Sequence, residues 1–366
     1  MKIALTKKLA NALGGSYPTN DESEDPLFSW TANWTKVWEN RRVEDMLVLV
    51  NNATRFTVGI YQVKRKDLKD VDKMMKTAIS NTLLAMNLNP EMVKKYLDLA
   101  GEVEFVRNKN RQRAAWVSKA GENCIFHVGR EYNDVAKMFD DTVGAPTNHL
   151  IVSSKDDKEG FWPDRAMVQA LSDITGKQAY KYRAFELKVT LDLKVYQAVR
   201  KIIVPGDIEL EKLHKVLQSV FNWRDYHLYD FSIGGSKRKK PRVLLVPFEE
   251  NLDWGENAVL MKGHVLSEYF PKHKHMYYTY DMGDYWQHDI ELVRVIEDYD
   301  KESPYLLEAS GKAPPEDVGG VGGFVNFREI MMDPDHPEHK ETKEWAKYWS
   351  LELGDWESRP RVIRYW

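Results

Sequence analysis

The sequence predicts an α+β protein of two domains, each a mainly antiparallel sheet packed with a few helices. Three observations carry that prediction. At 366 residues the chain is long enough for two domains of ordinary size. Phe185, Leu187, Val189 and Leu191 alternate with Glu186, Lys188 and Thr190, the period-two pattern of a half-buried strand. Val71, Met74, Met75, Ala78, Ile79, Thr82 and Leu83 recur at helical spacing instead. A stretch with Gly144, Pro146, a polar run and Pro163 lies between these regions. Domains of residues 1–145 and 179–366 are therefore expected around a linker of residues 146–178 that carries a short helix.

The elements follow in order. Residues 1–30 open with a short strand or helix and pass into a polar loop. Residues 46–50 and 56–61 read as strands around a turn at 51–55. A helix covers 69–86, and Pro90 starts another with Met92, Val93, Tyr96 and Leu97 inward, because proline suits the first helical position. Strands are expected at 103–106, 114–118 and 124–128, and a helix near 132–140 closes the domain. Pro163 opens the linker helix through Met167, Ala170 and Leu171. In the second domain residues 197–204 form the neighbour of the alternating strand. Asp207 reads as the N-cap of a helix with Leu210, Leu213, Val216, Leu217 and Val220 on one face. Further strands are expected at 243–246, 276–281 and 289–297, and the last 45 residues read as loop-rich.

Composition narrows the classes. Hydrophobic residues are 43% and charged residues 30%, ordinary for a globular protein whose halves each bury a core. The 53 basic and 56 acidic groups leave a net charge of −3, which excludes a globally basic nucleic-acid binder but not a local basic patch. A single cysteine, Cys124, excludes an intrachain disulfide and a cysteine-based zinc site, and reads as an inert core thiol in a strand. No run of 18 apolar residues suggests a membrane span, the first residues lack a signal-peptide pattern, and the cytoplasm is the expected location.

The stretch from Tyr277 to Phe327 is the densest in chemistry. Asp281, Asp284 and His288, with Glu316 and Asp317 from the next loop, offer oxygen and imidazole ligands for zinc, manganese or magnesium. Asp284 and His288 are taken to share a strand face, Asp284, His288 and Glu316 form the core ligand set, and His227 is a further candidate. On that reading a metal lowers the pKa of a water and a carboxylate orients it. The competing reading is a tight turn around Gly283 with Trp286 packed down and His288 in a structural hydrogen bond. Trp223, Pro315, Gly319 and Gly320 are structural or ligand-loop positions, since glycine permits positive φ and close backbone approach. Lys237, Arg238, Lys239, Lys240 and Arg242 form a basic hairpin tip that could hold a phosphate backbone or stand as a solvated face. A second basic stretch, Arg107, Lys109, Arg111 and Arg113, lies beside Trp116.

Four blocks carry a resemblance. They are Leu187-Lys-Val-Thr with Ile203-Val-Pro-Gly; Leu210-Glu-Lys-Leu-His-Lys-Val-Leu with Asn222-Trp-Arg-Asp-Tyr-His-Leu-Tyr-Asp-Phe; Tyr280-Asp-Met-Gly-Asp-Tyr-Trp-Gln-His; and Ala313-Pro-Pro-Glu-Asp-Val-Gly-Gly. In that order over about 150 residues, the second domain resembles the plasmid open-reading-frame-three-like family, many of whose members carry a transposon-element passenger label. The resemblance implies an α+β domain in an intracellular prokaryotic protein and brings no reaction with it. Relatives often carry cysteine where this chain has Ala313, and phenylalanine where it has Met282. The first domain is similar to a small bacterial family of unknown function through Leu5-Thr-Lys-Lys-Leu, Leu49-Val-Asn-Asn-Ala-Thr-Arg-Phe-Thr-Val and Val63-Lys-Arg-Lys-Asp-Leu-Lys. Two functions are expected to compete. One is a binding module for nucleic acid or another protein, tied to mobile elements; the other is a metal-dependent hydrolase of phosphoester-type substrates.

Overall fold

A computed structural model describes residues 1–19, 25–39, 42–128, 143–153, 159–234, 241–348 and 359–364. The chain divides into two compact units, Met1–Lys181 and Tyr182–Trp366. Both are α+β and mainly antiparallel, as the sequence predicts.

In the first unit the elements are β1 (Lys2–Leu5), α1 (Lys7–Leu13), β2 (Ser29–Glu39), β3 (Arg42–Asn51), β4 (Thr57–Tyr61), α2 (Val71–Ala85), α3 (Pro90–Ala100), β5 (Glu104–Arg107), α4 (Arg111–Ile125) and α5 (Pro163–Thr175). The sheet order is β4-β3-β2-β1-β5, with β1 parallel to both β2 and β5 and the other pairs antiparallel. Alternation decides the two faces. Trp30, Ala32, Trp34, Leu47 and Leu49 point into a core completed by α2, α3 and α5. Val37, Met46, Val48 and Val50 point the other way, where α4 covers them with Val117 and Cys124.

Two expectations fail here. Residues 114–118 and 124–128, read as strands, lie largely in or just beyond α4. Its inward positions Val117, Gly121 and Cys124 follow helical spacing, and Gly121 lets the helix approach: a Cβ there would lie 3.3 Å from Thr35 Oγ1. Residues 146–178 are no linker. The apolar stripe of α5 needs a core, and Met167 and Leu171 are buried in that of the first unit. The Asn89 amide also donates to Ala179 O at 2.8 Å. The helix expected near 132–140 lies outside the described residues.

The second unit contains β6 (Tyr182–Asp192), β7 (Gln197–Pro205), α6 (Leu210–Phe221), β8 (Tyr229–Ile233), β9 (Val243–Val246), β10 (Ala258–Leu260), β11 (His275–Tyr280), β12 (Trp286–Tyr299), β13 (Tyr305–Ser310), α7 (Gly320–Met332), α8 (His339–Tyr348) and β14 (Arg361–Val362). The sheet order is β10-β9-β8-β11-β12-β6-β7-β13-β14, antiparallel except for β10 with β9. One face buries Phe185, Leu187, Val189, Phe231, Tyr278, Trp286 and Ile290 with the apolar stripe of α6. Asp207 does not cap α6. Glu209 holds that position without a side-chain bond, and Asp207 instead accepts from Ser267 Oγ at 2.7 Å. The loop-rich ending is also corrected, for α7 and α8 occupy much of it. Phe324 joins the core, and Phe327 packs edge-on to Trp345 with centroids 5.8 Å apart. The glycines of the first turn of α7 hide this helix from a propensity reading. Among the described residues, no helix is long and apolar enough to cross a membrane.

Candidate functional site

Helix α6 ends at Asn222, whose left-handed φ of 59° turns the chain out of the helix. The next six residues return to β8, and this connection organises the site. Trp223 is buried, donates from its indole to Pro314 O at 3.0 Å, and stacks on Tyr280 with centroids 4.9 Å apart. It therefore ties the 313–318 loop to β11. The Arg224 amide donates to Glu316 Oε1 at 2.8 Å, and the Tyr226 amide donates to the Tyr280 hydroxyl at 3.1 Å. That hydroxyl in turn donates to Glu316, 3.2 Å from each oxygen.

Around this frame one imidazole meets three carboxylates. His227 Nε2 lies 3.1 Å from Asp317 Oδ1, 3.7 Å from Asp281 Oδ2 and 3.7 Å from Glu316 Oε2. The nitrogen is buried and makes no hydrogen bond among the described residues. One ligand atom each of His227, Asp281 and Asp317 lies within 4.8 Å of the other two. Asp281 and Asp317 adopt left-handed φ values of 60° and 57°, a conformation aspartate tolerates better than most residues. Asp281 Oδ1 accepts from the Gly283 and Asp284 amides at 2.9 and 3.3 Å, leaving Oδ2 toward His227. Burial raises the Glu316 carboxyl above its ordinary value, although the Arg224 amide, the Tyr280 hydroxyl and His227 oppose that rise. Burial, and then the charge of Glu316, also raise the Tyr280 hydroxyl. A cavity of about 400 Å³ adjoins the cluster, lined by Asp317, Val318, Phe327, Trp345, Glu338 and Glu341 among others.

The structure separates two expected members from this cluster. His288 is fully buried, with Nδ1 donating to Tyr278 O at 3.2 Å and its ring edge-on to Phe221 and Trp223. Burial pushes its imidazole down to about 3, so it is a neutral core histidine. The reason is strand parity: Trp286, His288 and Ile290 all face inward from β12. Asp284 precedes that strand, so parity does not bind it to His288. Its Oδ2 accepts from the Gly319 amide at 3.1 Å and ties two loops together. Trp286 lies in the core at 6.4 Å from Trp223, and Gly283 serves the turn through its amide. Pro315 is buried beside Glu316. Gly319 and Gly320 take φ values of 90° and 67°, and a Cβ on Gly320 would lie 2.7 Å from Asp284 O. Lys237, Arg238, Lys239 and Lys240 lie outside the described residues. Arg242 is exposed, and its amide donates to Ile233 O at 2.8 Å where β8 and β9 pair.

A second polar network hangs on the same connection and was missed from the sequence. Gln218 Nε2 donates to the Tyr278 hydroxyl at 2.9 Å, that hydroxyl donates to His214 Nδ1 at 2.8 Å, and His214 Nε2 donates to Asp225 Oδ1 at 2.7 Å. The tautomer follows from these partners. Lys215 pairs with the other Asp225 oxygen, and the His214 ring stacks on Tyr229 at 3.5 Å. Burial holds His214 below its usual value against the pull of Asp225. Burial raises Asp225, but its bonds to His214 and Lys215 prevail and leave it below its ordinary value. The helical spacing of His214 and Gln218 on α6 was the available signal.

Comparison with known proteins agrees with this division. Residues 183–358 match the family described as plasmid pRiA4b ORF-3-like protein, and residues 2–166 match a domain of unknown function, DUF6933. The chain is similar to "Uncharacterized protein y4hQ" of Sinorhizobium fredii (strain NBRC 101917 / NGR234), with 40% identity over 162 residues, 44% of this chain and 79% of that protein. It is also similar to a solved structure, the protein of unknown function MM3350 from Methanosarcina mazei Go1. There the identity is 31% and the TM-score 0.40, over 46% of this chain and 90% of the other.

Proposed function

This chain belongs to the plasmid pRiA4b ORF-3-like protein family through residues 183–358, and we propose that the domain so identified holds a divalent metal and uses it for hydrolysis. The observation that carries the proposal is the approach of three carboxylate oxygens to within 3.7 Å of His227 Nε2. A tetrahedral zinc with bonds near 2.0 Å spaces its ligand atoms about 3.3 Å apart, and His227 Nε2 lies 3.1 Å from the Asp317 oxygen and 3.7 Å from that of Asp281. His227, Asp281 and Asp317 would be the ligands. The turn amides that hold Asp281 Oδ1 orient that carboxylate from behind. A bound metal would acidify a water. Glu316, with its raised carboxyl and its bond to Tyr280, would accept that water's proton. Asp317, Glu338 and Glu341 make the adjoining cavity acidic, so a phosphoester substrate would need the metal to offset that charge.

The test is elemental analysis of protein purified without a histidine tag or chelator. Near-stoichiometric zinc or manganese is expected, lost in His227→Ala and Asp281→Asn and kept in Asp284→Asn. A metal-free, folded protein whose melting temperature ignores added metal overturns the reading.

One observation favours a second function. β8 and β9 pair antiparallel, and exposed Arg242, just before β9, follows the basic run Lys237–Lys240 in sequence. This basic run would bind nucleic acid or another protein, with a cytoplasmic location and no membrane partner. Salt-sensitive binding that vanishes when the four residues are neutralised supports it, and binding indifferent to that change removes it.

A further inference from the structure

The turn between β3 and β4 in the first unit contains two buried nitrogen donors that have no acceptor among the described residues. Asn51 closes the turn by accepting from the Ala53 and Thr54 amides, both at 3.1 Å, and its own amide donates to Leu27 O at 2.9 Å. Asn52 is different. It is 8% exposed, its Oδ1 accepts from Thr31 Oγ1 at 2.8 Å, and its Nδ2 makes no hydrogen bond. Three residues later Arg55 takes a left-handed φ of 61°, and its guanidinium lies 4.3 Å above the Trp116 ring. Arg55 Nη1 is likewise buried and unbonded.

Both donors face the same side of the sheet. Trp30, Ala32 and Trp34 point to the opposite core, so Thr31 and Thr35 point toward α4, and Thr35 lies beside Gly121 of that helix. Asn52 is bonded to Thr31, and Arg55 rests on Trp116 of α4. Arg113, one helical turn before Trp116, follows the N-cap Asn110 and adds a cation on that helix; its first turn carries no acidic residue. Among the described residues, neither Arg55 nor Arg113 forms an ion pair. Native structures seldom leave buried donors unpaired without a reason, and a bound ion is one such reason. A flat guanidinium held on an aromatic ring presents its free edge to a planar or tetrahedral oxyanion.

We propose that Asn52 and Arg55 form a binding site for an oxyanion, the carboxylate or phosphate group of a small ligand, between the β3–β4 turn and α4. The site belongs wholly to the first unit.

Isothermal titration of the full chain with sodium phosphate, and separately with sodium acetate, tests this at ionic strength held constant by chloride. Saturable binding of one equivalent is expected, weakened at least tenfold in Asn52→Ala and in Arg55→Gln and unchanged in Lys73→Gln, an exposed position on α2. Preference for phosphate assigns a phosphate ligand, and preference for acetate a carboxylate. Absence of saturable binding to either anion, or equal binding by the wild type and both variants, overturns the site. Should either variant fail to fold, the wild type decides by nuclear magnetic resonance. The Asn52 side-chain amide and the Trp116 indole must shift with saturating anion, and resonances that stay in place overturn the site equally.

Discussion

The two histidine–carboxylate clusters of the second unit share one short connection and differ in how completely they are paired. In the His214 cluster both ring nitrogens, the Tyr278 hydroxyl and both Asp225 oxygens have partners. In the His227 cluster three carboxylates converge on a nitrogen that makes no hydrogen bond, next to a cavity. A saturated buried network rigidifies its surroundings, whereas an unsaturated one keeps capacity for a ligand. The same residue types thus divide the work: His214 holds the Trp223–Leu228 connection in place, and His227 uses the position so gained.

Substitutions at four positions break or sharpen that contrast. Trp223→Ala should act most strongly, because the indole stacks on Tyr280 and anchors Pro314 for both clusters. A loss of about 3–5 kcal/mol in urea denaturation is expected, with metal retention lost as well. If only stability falls, the two clusters are independent. His288 comes next, through pH. Its folded imidazole is pushed down to about 3, while the unfolded value is near 6.5, so the unfolded state binds more protons between these limits. Stability is then full above pH 6.5 and lost as the pH falls, at about 1.4 kcal/mol per unit. Denaturation curves of His288→Leu between pH 6.5 and 4.5 should recover about 2 kcal/mol of that acid loss. Tyr278→Phe should cost about 1–3 kcal/mol by leaving buried His214 and Gln218 atoms unpaired, while elemental analysis shows metal unaltered. Asp284→Asn keeps the acceptor for Gly319 and should change stability by under about 0.5 kcal/mol and metal content not at all.

What the sequence disclosed follows from the range of each interaction. Period-two and helical patterns are local, so β6, β11, β12, α2, α3 and α6 were legible. In α4 the apolar pairs around Trp116 and Cys124 mimicked strands, although Val117, Gly121 and Cys124 already stood at helical spacing. Glu316 and Asp317 were legible as partners of Asp281 from the acidic loop alone, although β13 intervenes and the bonds of Trp223 and Arg224 to that loop are what hold it there. Assigning His288 to the site extended strand parity back to Asp284, which precedes β12, whereas parity with Trp286 and Ile290 turns His288 into the core. Tyr280 and the His214 network were hidden because their partners lie on other elements, up to 64 residues away for His214 and Tyr278. The Asn52–Arg55 site was hidden for the same reason: a missing hydrogen bond leaves no mark in a sequence.

The outermost strands of the nine-stranded sheet are also its shortest, three residues in β10 and two in β14. A sheet edge is a row of free donors and acceptors on which another chain can build. Edges this brief give a foreign strand little to grip, so the fold carries its own protection against aggregation. Cutting the chain before Arg361 would remove β14 and turn the six-residue β13 into the border. Such a shortened protein, which also loses the buried Ile363, should form insoluble assemblies more readily than the full chain.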